Sequence, residues 1–309
     1  MGSLIGIFSK ILFVNRLIVV ALLAISPLMS CASPSESTAG TLTVVASTQI
    51  LGDVVSVIGG EYVQLTILIP ADSDPHAFEP APQDAANLAQ ADLVFINGFN
   101  LEEALKPLLE TEGLNIVIAS EGIATIEFVG EEFEGGDPHV WMNPLNVKVW
   151  ADNIASAFTA ADPAHANDYR ANADAYKAEL DALDAWVGQH LSLIPAEARV
   201  LVTDHESFGY LADHYGFEIV GALIPSLSTV SEPSAGELAQ LEDAISQYGV
   251  KAIFIGSSMN PSLADRVAAD TGVRVVTLYT ESLSAQNGPV PTYLDLIRFD
   301  VAAIVGALQ

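Results

Sequence analysis

The chain has 309 residues, half of them hydrophobic, which is enough for two ordinary domains with a sizeable core. Its 11 Lys and Arg face 39 Asp and Glu, and a formal net charge of −28 repels phosphate backbones and argues against nucleic acid as a partner. The single cysteine, Cys31, permits no intramolecular disulfide and no cysteine cage for zinc.

Residues 1–30 carry Lys10 and Arg16 and then an apolar run from Leu17 to Met29, the layout of a secretory signal. Leu28-Met29-Ser30-Cys31 resembles the bacterial lipoprotein cleavage box, in which the cysteine becomes the lipidated first residue. The run is shorter than the roughly 20 residues a membrane span needs, which disfavours an uncleaved anchor. Residues 31–40 are rich in Ser, Pro and Thr and read as a flexible tether. The folded part is expected from Thr41, outside the cytoplasm.

From there short apolar runs alternate with helical stretches. Strands are expected at Leu42 to Ala46, Val63 to Ile69, Leu93 to Asn97 and Ile116 to Ala119, with helices at Ile50 to Ile58, Pro82 to Gln90 and Leu101 to Leu109. Such alternation predicts a parallel sheet covered by helices. An acidic loop from Gly130 to Asp137 follows. Between Asp162 and Ile194, Tyr169, Ala173, Tyr176, Leu180, Leu183, Val187 and Leu191 recur at intervals of three and four. They predict one long helix, opened by Asp162-Pro163 and stopped by Pro195, or two shorter helices broken near Asp174. The alternation then resumes, with strands at Arg199 to Thr203, Glu218 to Leu223, Lys251 to Ile255 and Val273 to Leu278. Helices are expected at Ser207 to Tyr215, Ser234 to Tyr248, Pro261 to Thr271 and Thr292 to Leu308. The fold class is therefore α/β: two lobes, at 41–161 and 195–309, each with a mostly parallel sheet flanked by helices, joined by one long helix at 162–194.

Two loops repeat one pattern, Asp74-Pro75-His76 and Asp137-Pro138-His139. Proline fixes its own φ and biases the residue before it toward extended geometry, so each imidazole sits on a stiff turn. His205 follows an expected strand, and so does Glu281. In open parallel sheets ligands bind beyond the carboxyl ends of the strands, which brings His76, His139, His205 and Glu281 toward one cleft. Three imidazoles and a carboxylate suit Zn2+, with Mn2+ or Fe2+ as alternatives, and disfavour Ca2+, Mg2+ and Cu+. Imidazole must be neutral to bind, so uptake should fall off below about pH 6. Asp74, Asp137, Asp204 and Glu206 are candidates for carboxylates that orient the rings. His165 and His190, in the first and last turns of the long helix, and His214 are expected to take no part.

The lipoprotein-like start, both Asp-Pro-His loops, Thr203-Asp204-His205-Glu206-Ser207-Phe208-Gly209-Tyr210 and Tyr279-Thr280-Glu281-Ser282-Leu283 together resemble the metal-binding solute-binding lipoproteins of zinc and manganese ABC importers. The resemblance covers essentially the whole mature chain. It implies two α/β lobes joined by a long helix, with a metal ion held between them as cargo. It also implies a monomer tethered to the membrane through lipid on Cys31, at the cell surface or in the periplasm. The implied partner is a membrane permease with a cytoplasmic ATPase. In that group manganese members usually carry glutamate where this chain has His205 and aspartate where it has Glu281, so the resemblance favours zinc. Two departures are the short acidic loop from Glu121 to Asp137, free of histidine, and the absence of a disulfide. Two other readings stay open: a zinc hydrolase with Glu206 as its base, and a metal-binding surface adhesin.

Overall fold

Alternate residues of the central strands point to opposite faces of their sheets, and both faces are apolar, as strands buried on two sides require. In the computed structural model, which describes residues 41–126 and 136–309, eight strands form two parallel four-stranded sheets. The first has the order β2 (Val63–Ile67), β1 (Leu42–Ala46), β3 (Leu93–Ile96), β4 (Ile116–Ile118). The second has the same pattern of crossovers, β6 (Glu218–Ala222), β5 (Val200–Thr203), β7 (Ala252–Gly256), β8 (Arg274–Leu278). The expected signal at 1–30, Cys31, the tether and most of the acidic loop lie outside the described residues. Among the described residues no helix is long and apolar enough to cross a membrane.

The helices are α1 (Gln49–Gly59), α2 (Pro82–Ala89), α3 (Lys106–Leu109), α4 (Pro144–Ala161), α5 (Ala166–Leu191), α6 (Gly209–Tyr215), α7 (Ala235–Tyr248), α8 (Ser262–Thr271) and α9 (Tyr293–Leu308). Each sheet has one face covered by its own satellite cluster. Val45, Val94 and Leu88 pack together on the first sheet, and Val202, Ile253, Leu241 and Val267 on the second. The opposite faces, with Val44, Phe95, Leu201 and Phe254, join a single continuous core. Trp150, Phe158, Tyr169, Leu180 and Val301 from α4, α5 and α9 belong to it too.

Three elements differ from the sequence reading. The helix expected from Leu101 to Leu109 is instead a 3-10 turn at Glu103–Leu105 followed by the single turn α3. Pro107 has no N–H to give to Glu103, so a continuous helix cannot run through it. The long helix is unbroken, and its first α-helical residue is Ala166 rather than Pro163. The Asp162 carboxylate is drawn to His165 Nδ1 (2.6 Å) and the Tyr169 hydroxyl (2.9 Å), so Pro163–His165 forms a 3-10 turn. Finally, α4 occupies a stretch to which the sequence reading assigns no element. Asn143 caps it by accepting from the Leu145 N–H at 3.0 Å, Pro144 takes the first helical position, and Val147, Trp150, Ile154 and Phe158 line the buried side.

Helix α9 closes the molecule from its far end. The Tyr293 N–H donates to the Asp53 carboxylate on α1 at 2.9 Å. Burial holds that carboxyl up at about 6, against the pull of the Tyr293 N–H, with Asp295 nearby adding to the rise. A folded-state value above the unfolded one means stability that is intact below about pH 4 and lost as the pH rises through about 6. Asp53→Asn keeps the acceptor and removes the charge. It should stabilise the protein by about 1–3 kcal/mol at pH 7.5 and leave it nearly unchanged at pH 4, measured by urea denaturation at both values.

Candidate metal centre

His76 lies in the loop after β2, His139 in the loop that leads from β4 toward α4, His205 two residues beyond β5 and Glu281 three beyond β8. All four thus stand at the carboxyl ends of strands or in loops that leave them, two from each half of the chain. Their ligand atoms lie within 4.8 Å of one another. His139 Nε2 is 3.3 Å from His76 Nε2 and 3.3 Å from His205 Nε2. Glu281 Oε1 lies 3.4 Å from His139 Nε2 and 3.3 Å from His205 Nε2, and Oε2 is 3.8 Å from His76 Nε2. Donors about 2.0–2.1 Å from a tetrahedral ion stand roughly 3.3–3.4 Å apart, which the four separations among His76–His139, His139–His205, His139–Glu281 and His205–Glu281 match, while His76–Glu281 is longer. Both Glu281 oxygens are buried with no hydrogen-bond donor, an arrangement that a cation would satisfy.

The carboxylates around the site act differently from one another. Asp137 Oδ1 takes both the His139 backbone N–H (2.8 Å) and ring Nδ1 (2.7 Å). Asp204 Oδ1 does the same for His205, at 2.7 and 2.9 Å, and its Oδ2 accepts the Gly256 N–H at 2.5 Å. Those contacts fix both rings with Nε2 facing the centre. Asp74 instead bonds the His76 backbone N–H (2.8 Å) and accepts the Thr229 hydroxyl (2.5 Å). Glu206 hydrogen-bonds neither ring. Its Oε2 is buried without a partner, and burial, then the charge of Asp137, pushes its carboxyl up to about 8.

Charge is balanced unevenly across the cluster. Burial drives the His76 imidazole down to about 3, and His139 and His205 add to the fall while Glu281 opposes it. Burial also works against a charged His205, but the charge and hydrogen bond of Asp204, with Glu281, hold its imidazole above the usual range. Burial alone would raise Glu281, yet His139 and His205 hold it below the usual carboxylate range. The other three histidines lie outside the group. His165 stacks on Tyr62 at 3.9 Å, His190 Nδ1 meets the Trp186 carbonyl at 2.8 Å, and His214 Nε2 meets Asp184 at 2.8 Å.

Several residues that build the site carry no signal in the sequence reading. The Trp141 indole donates to the Thr280 carbonyl at 2.9 Å, tying the residue before Glu281 to the His139 turn, and the Tyr293 hydroxyl donates to the Trp141 carbonyl at 2.7 Å. Asn97 supports the same turn by donating to the Pro138 carbonyl at 3.0 Å. At Gly256 a Cβ would stand 2.5 Å from Thr280 Oγ1, and at Gly209 2.6 Å from Asp137 Oδ2, so both glycines let the backbone approach the ligand loops. The repeated Asp-Pro-His motif marks two of the four candidate ligands, whereas these supports depend on contacts between distant parts of the chain.

Over residues 44–307 the sequence matches the family described as zinc-uptake complex component A, periplasmic. The chain belongs to this family. The manganese-binding lipoprotein MntA of Halalkalibacterium halodurans is 32% identical over 302 residues, covering 97% of this chain and 99% of that protein. The iron-binding protein YfeA of Yersinia pestis is 32% identical over 299 residues, covering 94% and 96%. Among solved structures, the periplasmic zinc-binding protein TroA of Treponema pallidum superposes with a TM-score of 0.82 at 29% identity, over 87% of this chain and all of that one. The component A fold, two parallel sheets flanked by helices with a long helix between the lobes, is the one expected from the sequence. As a member, the chain is a metal-binding substrate-binding protein of ABC importers.

Proposed function

We propose that the chain captures Zn2+ outside the cytoplasm between its two lobes and delivers it to an ABC permease powered by a cytoplasmic ATPase. His76, His139, His205 and Glu281 are the ligands. Asp137 and Asp204 hold the tautomers of His139 and His205, and Asp74 shapes the His76 turn. The reading is carried by one observation: three Nε2 atoms and two unpartnered carboxylate oxygens converge within 4.8 Å of one another, with three of the four residues buried. In this reading the ion is cargo, no reaction is catalysed, and the protein works as a monomer tethered by lipid on Cys31.

A manganese reading has its own support. Relatives named for manganese and for iron align over almost the full chain, and Glu281 offers both oxygens, so that bidentate binding would raise the coordination number toward what Mn2+ prefers. Elemental analysis of protein purified without added metal, followed by competition between Zn2+ and Mn2+, separates the two. One zinc per chain that excess Mn2+ fails to displace supports the zinc reading. One manganese per chain under the same conditions replaces it, and a stoichiometry near zero for every transition metal rejects both.

Metal uptake should release a proton. The charge and hydrogen bond of Asp204, with the charge of Glu281, keep the His205 imidazole protonated at neutral pH, and a metal at Nε2 must displace a ring proton. Affinity should therefore weaken as the pH falls. Zinc titrations by calorimetry in buffers of different ionisation heat should give about one proton released per ion at pH 7. Equal apparent heats in all buffers would contradict this.

A further inference from the structure

The four ligands are not held alike. His139 and His205 are fully buried, and in each a single carboxylate oxygen from a residue one or two positions earlier grips both the backbone and the ring. Glu281 is buried in the loop before α9 and flanked by the Thr280 carbonyl that Trp141 engages. His76 is the partly exposed member of the set. Its turn belongs to the stretch between β2 and α2, and Asp74 reaches its backbone N–H rather than its ring.

That stretch is fastened instead from the opposite half of the chain, at two points. The Thr229 hydroxyl, in the segment between β6 and α7, donates to Asp74 Oδ2 at 2.5 Å. The Ser282 hydroxyl, next to the ligand Glu281, accepts the Asp72 N–H at 3.0 Å and donates to the Leu283 carbonyl at 3.1 Å. Asp72 lies in the left-handed region at φ 58°, a conformation costly for a residue with a side chain and held here by its surroundings. A hydroxyl-to-carboxylate bond is of the stronger, charge-assisted kind.

We infer that Thr229 and Ser282 form a two-point clasp across the lobes that keeps the His76 turn in the coordinating position, so that release of this clasp sets how fast the bound metal leaves. Thr229 is a positioning residue: it acts on Asp74, Asp74 on the backbone of His76, and His76 on the ion. Ser282 ties the same turn to the loop that presents Glu281, so loss of the clasp frees the His76 turn from that loop. His139 and His205 keep the aspartates that hold their rings.

This inference rests on the reading that the four residues hold the ion, and its test distinguishes the two. The full chain is loaded with Zn2+, and release to a chromophoric chelator and capture of free Zn2+ are followed by stopped flow. Thr229→Val, which keeps the shape and loses the hydroxyl, should release zinc roughly tenfold faster with capture changed less than twofold, and Thr229→Ser should restore the original rate. Ser282→Ala should give a smaller acceleration, about threefold, and decides the matter if Thr229→Val does not fold. Release from Thr229→Val within twofold of the parent overturns the clasp, as does capture slowed as much as release is accelerated, or failure of Thr229→Ser to restore the rate. A parent chain that binds no zinc overturns the underlying reading instead.

Discussion

Replacing His139 by Ala should weaken zinc binding by roughly 10²–10³-fold while leaving the fold in place. His139 is the hub of the cluster, within 3.3–3.4 Å of a ligand atom from each of the other three residues. Complete zinc sites contribute about 10–16 kcal/mol, so one ligand in four accounts for about 3–4 kcal/mol. The turn that carries it is built separately, by Asn97 on the Pro138 carbonyl and by Tyr210, whose hydroxyl donates to the Asp137 carbonyl at 3.2 Å. Loss of the ring therefore removes a donor without removing the loop. Competition against a chelator of known affinity measures the change, with circular dichroism of the metal-free protein as the control. Glu281→Gln, nearly isosteric, should fall in the same range, because it deletes the negative charge that faces three imidazoles. Affinity within tenfold of the parent in both variants would mean that the ion binds elsewhere.

Trp141→Ala should be the most destabilising single change near the site, at about 3–5 kcal/mol. The indole is 2% exposed, meets the His139 ring edge-on with centroids 5.4 Å apart, and lies 6.4 Å from Trp150. Truncation leaves a cavity in the shared core. It also strands the Thr280 carbonyl, and Trp141→Phe isolates that second effect: most of the ring volume stays and the N–H goes, at an expected cost of about 1–3 kcal/mol. Zinc affinity should drop in both variants, since Thr280 is bonded to Glu281 in the chain and moves with it. Urea denaturation of metal-free protein measures the first effect and chelator competition the second. A phenylalanine variant as stable as the parent would show that the indole N–H does not brace the Glu281 loop.

What the sequence discloses here follows from where information is local. The strands were readable because apolar runs such as Val44-Val45-Ala46 and Ile253-Phe254-Ile255 are buried on both faces, and the ligand turns because Asp-Pro-His constrains its own backbone. Pro107 is local information too, and it is the residue that divides the stretch from Leu101 to Leu109 into a 3-10 turn and a single helical turn. Helix α4 also carries local marks, since Asn143-Pro144 opens it and Trp150, Ile154 and Phe158 line its buried side. Thr229, Trp141 and Ser282 were beyond reach for another reason. Their partners lie 155, 139 and 210 residues away in the chain, and no local pattern encodes such a pairing. Of the two carboxylates that flank His205, both expected to orient its ring, Asp204 supplies the oxygen and Glu206 bonds neither ring.

The inner faces of both sheets feed one uninterrupted apolar cluster, threaded by α4, α5 and α9. A molecule built in this way has no seam along which one lobe could melt and leave the other standing. Heating should accordingly give a single endotherm with calorimetric and van't Hoff enthalpies in agreement, and saturating zinc should move that whole peak upward instead of splitting it. For a capture protein the expected result is economy of motion: on the proposed clasp, the ion leaves by loosening of loops at the rim while the body beneath them stays solid.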